Sequence, residues 1–337
     1  MVSRVRTLMN LLVITALCLP QPVYPGNFKK TIRAEKGGEA TARVLWQPPL
    51  DIASRNLLYG PGGREHQPRG QFKFIEEDLS GTKPKFKIED EQGVRWKVKL
   101  GKEAQPETSA TRLLWAVGYF ADEDYYLHEL RVQGMKKLKR GQNLVAVDGT
   151  IRGARLERHL TGEKRIGHWS WFKNPFVGTK ELNGLKVMMA LINNTDLKKE
   201  NNSIYDEEGL EHRYVVSDLG SSFGKTGNFF DHSVGNLNNY LASKFIKRVK
   251  SQEVDFVMHH RPPFILVFAL PYYVSQTRMQ QIVKHIPRKD TRWIGRLLSQ
   301  LSEHQIEDAF RAGGFTPQQV DHYARKVQER IAELNRL

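Results

Sequence analysis

The chain has 337 residues, 39% of them hydrophobic, which excludes wholesale disorder and leaves room for two compact lobes, each with its own core. Lys and Arg number 52 against 37 Asp and Glu, a formal charge of +15. That excess favours anionic partners (nucleotide, phospholipid head groups, nucleic acid or acidic glycans) without choosing among them. Cys18 is the single cysteine, so no disulfide within the chain can form and cysteine usage does not identify a redox compartment.

Residues 1–25 have the layout of a secretory signal. Arg4 and Arg6 precede an apolar run from Leu8 to Leu19, and a Pro-rich stretch follows through Pro25. The run is too short for a comfortable membrane span, and cleavage near Ala16-Leu17-Cys18 fits the small residues there. The expectation is an exported chain, periplasmic or extracellular, with an uncleaved membrane anchor as the alternative. Residues 26–71 carry many Pro, Gly and charged residues and little periodicity apart from Ala42 to Trp46, and read as an irregular extension.

Regular structure is expected from Phe72. Phe72 to Ile75, Lys85 to Ile88 and Val94 to Leu100 alternate apolar with charged side chains, as half-buried strands do. Ser80-Gly81-Thr82-Lys83 lies between the first two, an ordinary turn or one that brings backbone N–H groups and positive charge to phosphates. Lys97 and Lys99 share one face of their strand, because side chains alternate with a period of two. Glu107 opens a helical pattern that runs to Phe120, with Leu113, Leu114 and Val117 on its apolar side. Tyr125 to Leu130 and Leu144 to Val147 complete a five-stranded lobe with one helix over residues 72–148.

Residues 149–337 form the second expected lobe. Arg152, Arg155 and Arg158 make its start basic, and Trp169, Trp171 and Phe172 cluster as core or loop anchor. Leu182, Leu185, Met188, Met189 and Ile192 recur at amphipathic-helix spacing over Lys180 to Ile192. Asp196 then falls in a loop just after a buried helix, where chemistry-bearing groups tend to sit. Ser203 to Tyr205 and Tyr214 to Ser217 read as a hairpin that returns Asn201 and Asp218 toward each other. Leu241 to Val249, Tyr273 to His285, Thr291 to Leu301, Ser302 to Ala312 and Pro317 to Leu334 are expected helices. Ser302 with Gln305 has capping-box spacing, and Gly313-Gly314 stops that helix. Phe264 to Leu270, between Pro263 and Pro271, reads as a buried strand or short helix. His259-His260 lacks a third ligand at metal spacing and is expected to be structural.

Two carboxylates, an amide and a strand lysine are the groups that phosphoryl transfer from a nucleotide requires. One carboxylate orients the accepting hydroxyl, while the amide and the second carboxylate hold the metal that bridges the phosphates. Thr195-Asp196-Leu197-Lys198-Lys199-Glu200-Asn201 resembles the catalytic loop of protein kinases, and Ser217-Asp218-Leu219-Gly220 their metal-binding Asp-Phe-Gly. Asn194-Thr195 stands where His-Arg is usual. Neither Gly-x-Gly-x-x-Gly nor a later Ala-Pro-Glu is present, so the chain is closer to the atypical, HipA-like and phosphoinositide-kinase-like relatives, with secreted kinases as functional parallels.

The resemblance implies an α+β, bilobal protein-kinase-like fold with a small β-rich N-lobe and a mainly helical C-lobe. It also implies ATP and Mg²⁺ as cofactors, and a hydroxyl-bearing protein, lipid or glycan as acceptor. Asp196 would orient the acceptor, and Asn201 and Asp218 would hold the metal. Lys99, with Lys97 as the alternative, would contact the phosphates, held by Glu107 and covered by Ser80, Gly81, Thr82 and Lys83. The other readings are a catalytically inactive nucleotide-binding or scaffold module at the envelope and, third, a basic binder of anionic surfaces or nucleic acid, the latter disfavoured.

Overall fold

The structure is a computed structural model that describes residues 41–160, 162–226, 232–258 and 277–337. The signal-like segment with Cys18, the His259-His260 pair and the Phe264 to Leu270 segment lie outside the described residues. So does the first part of the expected Tyr273 to His285 helix, of which residues 277–282 are helical.

Five strands, β2 (Phe72–Asp78), β3 (Lys85–Asp90), β4 (Arg95–Leu100), β5 (Asp124–Gln133) and β6 (Thr150–Arg158), close into a barrel in the order β2-β3-β4-β6-β5. Alternation explains it. Phe86 and Ile88 on β3 and Trp96, Val98 and Leu100 on β4 all point into the barrel and are buried. Closure comes from the parallel pairing of Phe72 with Val132. Helix α1 (Ala104–Ala116) crosses between β4 and β5 and is buried on nearly every side, packed against β5 and β6 and against a C-terminal helix. It therefore starts a turn earlier than expected and carries Glu107 in its first turn.

The expected bilobal kinase-like fold with a mainly helical C-lobe is not what forms. The β-rich part is a closed barrel, and the C-terminal half keeps sheets of its own. β7 (Glu163–His168), β8 (Asn202–Glu207) and β9 (Glu211–Val216) join β1 (Ala42–Val44) in the order β1-β9-β8-β7. β10 (Lys225–Thr226) pairs with β11 (His232–Ser233), and β12 (Ile246–Val249), β13 (Glu253–Phe256) and β14 (Ile286–Pro287) make another sheet. The expected Leu241 to Val249 helix is instead the short α3 (Leu237–Leu241) followed by β12, which hairpins onto β13. That stretch satisfies both periods, and the pairing partner decides. Nor is Leu144 to Val147 a barrel strand. It is a 3₁₀ turn and a single bridge, Val145 to Ile151. The fifth strand is the arginine-rich Thr150–Arg158, whose charge hid Ile151, Ala154 and Leu156 facing the interior.

Residues 41–71 have little regular structure, as their composition implies, but Leu45, Ile52 and Leu57 are buried. The Gln305 side-chain amide holds the Ile52 carbonyl at 2.8 Å and that of Arg55 at 2.9 Å. Helix α2 (Lys180–Leu191) is the spine of the second core, with Leu182, Val187, Met188, Met189 and Leu191 fully enclosed. Helices α4 (Arg288–Leu298), α5 (Glu303–Ala312) and α6 (Pro317–Asn335) surround it. Ser302 and Thr316 both head capping boxes, with Gln305 and Gln319. From α6 the buried Arg330 donates to the Leu191 carbonyl at 2.6 Å and to Ser243 Oγ at 2.6 Å. A cation thus caps the carbonyl end of α2, immediately before the segment that carries Asp196. Among the described residues no helix is long and apolar enough to cross a membrane.

Candidate functional site

Strand β4 alternates its side chains, so Lys99 leaves the barrel on the side that α1 covers. It is only 4% exposed. Its ammonium meets Glu107 Oε2 at 2.8 Å, Glu103 Oε2 at 3.0 Å and Asp218 Oδ1 at 3.1 Å. A buried lysine stays charged only with such company. Burial works against the charge, yet Glu107, Asp218 and Glu103 together raise its pKa above the ordinary lysine value. Burial pushes the Glu107 carboxyl up, against the pull of Arg155 and Lys99. Asp218 goes the other way. Burial raises it, but the Lys99 ammonium and the Gly220 N–H, donated to Oδ1 at 3.1 Å, hold it below the usual carboxylate range.

Asp218 follows β9, and its backbone is fixed by Asn201, whose carbonyl accepts from the Ser217 N–H at 2.9 Å and the Asp218 N–H at 3.3 Å. The Asn201 side-chain amide reaches the other way and donates to the Asp196 carbonyl at 2.7 Å. Asn194 Oδ1 accepts from the Asp196 N–H at 3.0 Å, and the Asp196 carboxylate pairs with Lys198 at 2.9 Å while a third of its side chain stays exposed. A continuous run of contacts thus links Glu107, Lys99, Asp218, Asn201 and Asp196, although Lys99 and Asp218 are 119 positions apart. Gly220 is needed where the chain passes. A Cβ there would stand 2.8 Å from Glu103 Cβ and 3.0 Å from Lys99 Nζ.

The turn residues divide. Lys83 reaches Glu103 Oε1 at 2.5 Å, which ties the turn to the Lys99 cluster. Ser80 accepts from Lys85 at 3.2 Å, Gly81 takes the left-handed conformation (φ +63°), and Thr82 is exposed. Lys97, the alternative to Lys99, instead pairs with Glu157 at 2.5 Å. Lys97, Glu157, Ser80, Lys85, Asp122 and Tyr205 are among the residues around a cavity of about 630 Å³ between the barrel and the β7-β8-β9 sheet. Lys99, Asp196, Asn201 and Asp218 do not line this cavity. The Lys99 cluster connects to it through the Ser80 to Lys85 turn, where Lys83 pairs with Glu103 and Ser80 and Lys85 line the cavity.

Sequence reasoning missed two residues of this network. Glu103 lies four positions after Lys99, a spacing that carries no signal across a strand-to-helix turn. Arg155 reads as surface charge, yet it is 1% exposed and joins Asp124 at 2.6 Å, Glu157 at 2.9 Å, Asp122 at 3.3 Å and Glu107 at 3.7 Å. Burial resists ionisation of Glu157, but Lys97 and Arg155 bring it down to about 2, while burial and that neighbouring charge push Asp122 well above its ordinary value.

Among the described residues no three His, Cys, Asp or Glu side chains group as metal ligands. Asp218 and Asn201, the pair that the kinase resemblance implies for a metal, are joined here through the Asn201 backbone carbonyl, while the Asn201 side-chain amide turns to Asp196. A carboxylate and an amide are the hard-oxygen donor types that Mg²⁺ takes, one or two from the protein and the rest from phosphate and water. Compared with known proteins, the chain matches no family model and no curated protein.

Proposed function

We propose that the protein is an ATP- and Mg²⁺-dependent phosphotransferase acting on a hydroxyl-bearing acceptor. The observation that carries this is the Lys99 ammonium held between Glu107 and Asp218, with Asn201 joining Asp218 to Asp196. Lys99 contacts the α- and β-phosphates, and Glu107 keeps it in place. Asp196, its side chain a third exposed, orients the acceptor hydroxyl or takes its proton. Asn201 and Asp218 hold Mg²⁺, which neutralises phosphate charge when bound. The Ser80 to Lys83 turn covers the phosphates, and the neighbouring cavity, large enough for a small ligand, takes the nucleoside. The catalytic contribution of these groups is positioning and charge compensation. In the same reading the signal-like N-terminus exports or anchors the protein, and the acceptor is an extracytoplasmic protein, lipid or glycan.

The test is transfer of labelled phosphate from Mg-ATP to the protein itself, to candidate acceptors and to water. Wild type is expected to turn over, and Asp196→Ala and Asp218→Ala to lose at least a hundredfold. Variants that match wild type remove the proposal.

A further inference from the structure

The Lys99 ammonium has three N–H donors and three carboxylates around it, from Glu107, Glu103 and Asp218, all within 3.1 Å. Lys99 is 4% exposed, so a phosphate oxygen that reaches it has to compete with these carboxylates for it. Glu107 is not free to leave. It sits within α1, its side chain is 2% exposed, and Arg155 lies 3.7 Å from its other oxygen. Asp218 is pinned through the Gly220 N–H. Glu103 differs from both. It precedes α1 rather than lying within it, and its second oxygen holds Lys83 of the Ser80 to Lys83 turn at 2.5 Å. Lys83 itself is half exposed. One carboxylate therefore neutralises two cations that belong to two different parts of the site.

We infer that Glu103 stands in for phosphate: a triphosphate displaces its carboxylate from Lys83 and Lys99 together, so that the turn closes over the ligand only when both lysines change partner. This rests on the phosphotransferase reading for its ligand class, but the residue and its geometry are independent of which nucleoside or acceptor is used. Electrostatics give the direction of the effect. Glu103 is a competing anion at about hydrogen-bond distance from both lysines, in surroundings where its own side chain is 8% exposed, so its charge opposes the entry of a polyanion strongly. Removing the charge while keeping the shape is expected to tighten binding, an outcome that a residue important only for folding does not give. Glu103 acts through Lys83 and Lys99 and is a positioning residue.

The test is isothermal titration of full-length wild type and Glu103→Gln with Mg-ATP and, separately, with inorganic triphosphate. Glu103→Ala serves as the second variant, and circular dichroism verifies that each variant is folded. The expected result is binding of both ligands five- to twentyfold tighter in either variant than in wild type, with Lys83→Met abolishing most of the gain. Equal or weaker binding by both variants, with wild type still binding, overturns the role of Glu103 and leaves the phosphotransferase reading standing. Tighter triphosphate binding without phosphate transfer by any form keeps the role of Glu103 and removes the enzyme. Absence of binding by every form overturns both.

Discussion

Replacing Asp218 by Asn separates a role in chemistry from a role in folding. The Lys99–Asp218 contact is 3.1 Å long, but the Asp218 side chain is 40% exposed. Coulomb's law at that distance gives about 5 kcal/mol at an effective dielectric of 20 and about 1 kcal/mol at 80. Exposure places the pair toward the weaker end, and Lys99 keeps Glu107 and Glu103 when the charge is gone, so the net loss of stability is expected to be about 1 kcal/mol. For a domain of this size that is a fall in Tm of about 2 °C. The cost to catalysis is larger, because a metal-holding carboxylate acts where charge develops: about 3–4 kcal/mol of barrier, or 10²- to 10³-fold in rate. Differential scanning fluorimetry and a phosphate-release assay on one preparation measure both. A variant that turns over within threefold of wild type refutes the metal role, and a Tm lowered by some 10 °C shows that Asp218 is structural instead.

Glu107→Gln tests the anchor of Lys99. Burial already opposes the Glu107 charge, and Lys99 keeps Asp218 and Glu103. Stability is therefore expected to fall by only about 1–2 kcal/mol, read as a Tm drop of roughly 2–6 °C, while turnover falls because Lys99 is held less firmly. Glu157 ionises at about 2 when folded and near 4.5 when not, so its contribution is complete above pH 4.5 and is lost as pH falls from there toward 2. Urea titrations across that window should show wild type losing about 3 kcal/mol that Glu157→Gln does not lose. Asp122, raised rather than lowered, contributes with the opposite sign: its charge is disfavoured in the fold, so at neutral pH Asp122→Asn is expected to match or exceed wild type in urea midpoint. Arg330→Met removes the cation that caps α2 at Leu191. It is expected to cost about 2–4 kcal/mol and to lower turnover at constant Mg-ATP affinity, because the Asn193 to Asp196 segment loses its anchor.

Local periodicity carried much of the architecture. The strands with simple alternation, β2 to β5, and the helices α2 and α4 to α6 are visible from side-chain pattern and caps, because each signal is contained within a few turns of chain. Thr150–Arg158 was hidden because three arginines mask its inward residues, and one of them, Arg155, is buried among carboxylates that come from distant positions. Ile246–Val249 was misassigned because helix and strand periods coincide over so short a run, and only its pairing with Glu253–Phe256 distinguishes them. The expected lobe architecture failed for a related reason. Whether strands close into a barrel, and whether a C-terminal half keeps its own sheets, depends on long-range pairing that no local pattern encodes.

Side-chain types and their order along the chain already lay out the groups of the proposed site: a lysine on an alternating strand, a glutamate opening a helix, then Asp, Asn and Asp around a hairpin. That Lys99 rather than Lys97 meets Glu107 and Asp218, that Glu103 joins them, and that Arg155 stands 3.7 Å from Glu107 is set by the fold. Lys97 and Lys99 leave the same face of β4, so the choice turns on which end of that face meets Glu107 of α1 and which meets Glu157. It turns also on burial that forces each charge to find a partner, and burial belongs to the folded chain as a whole.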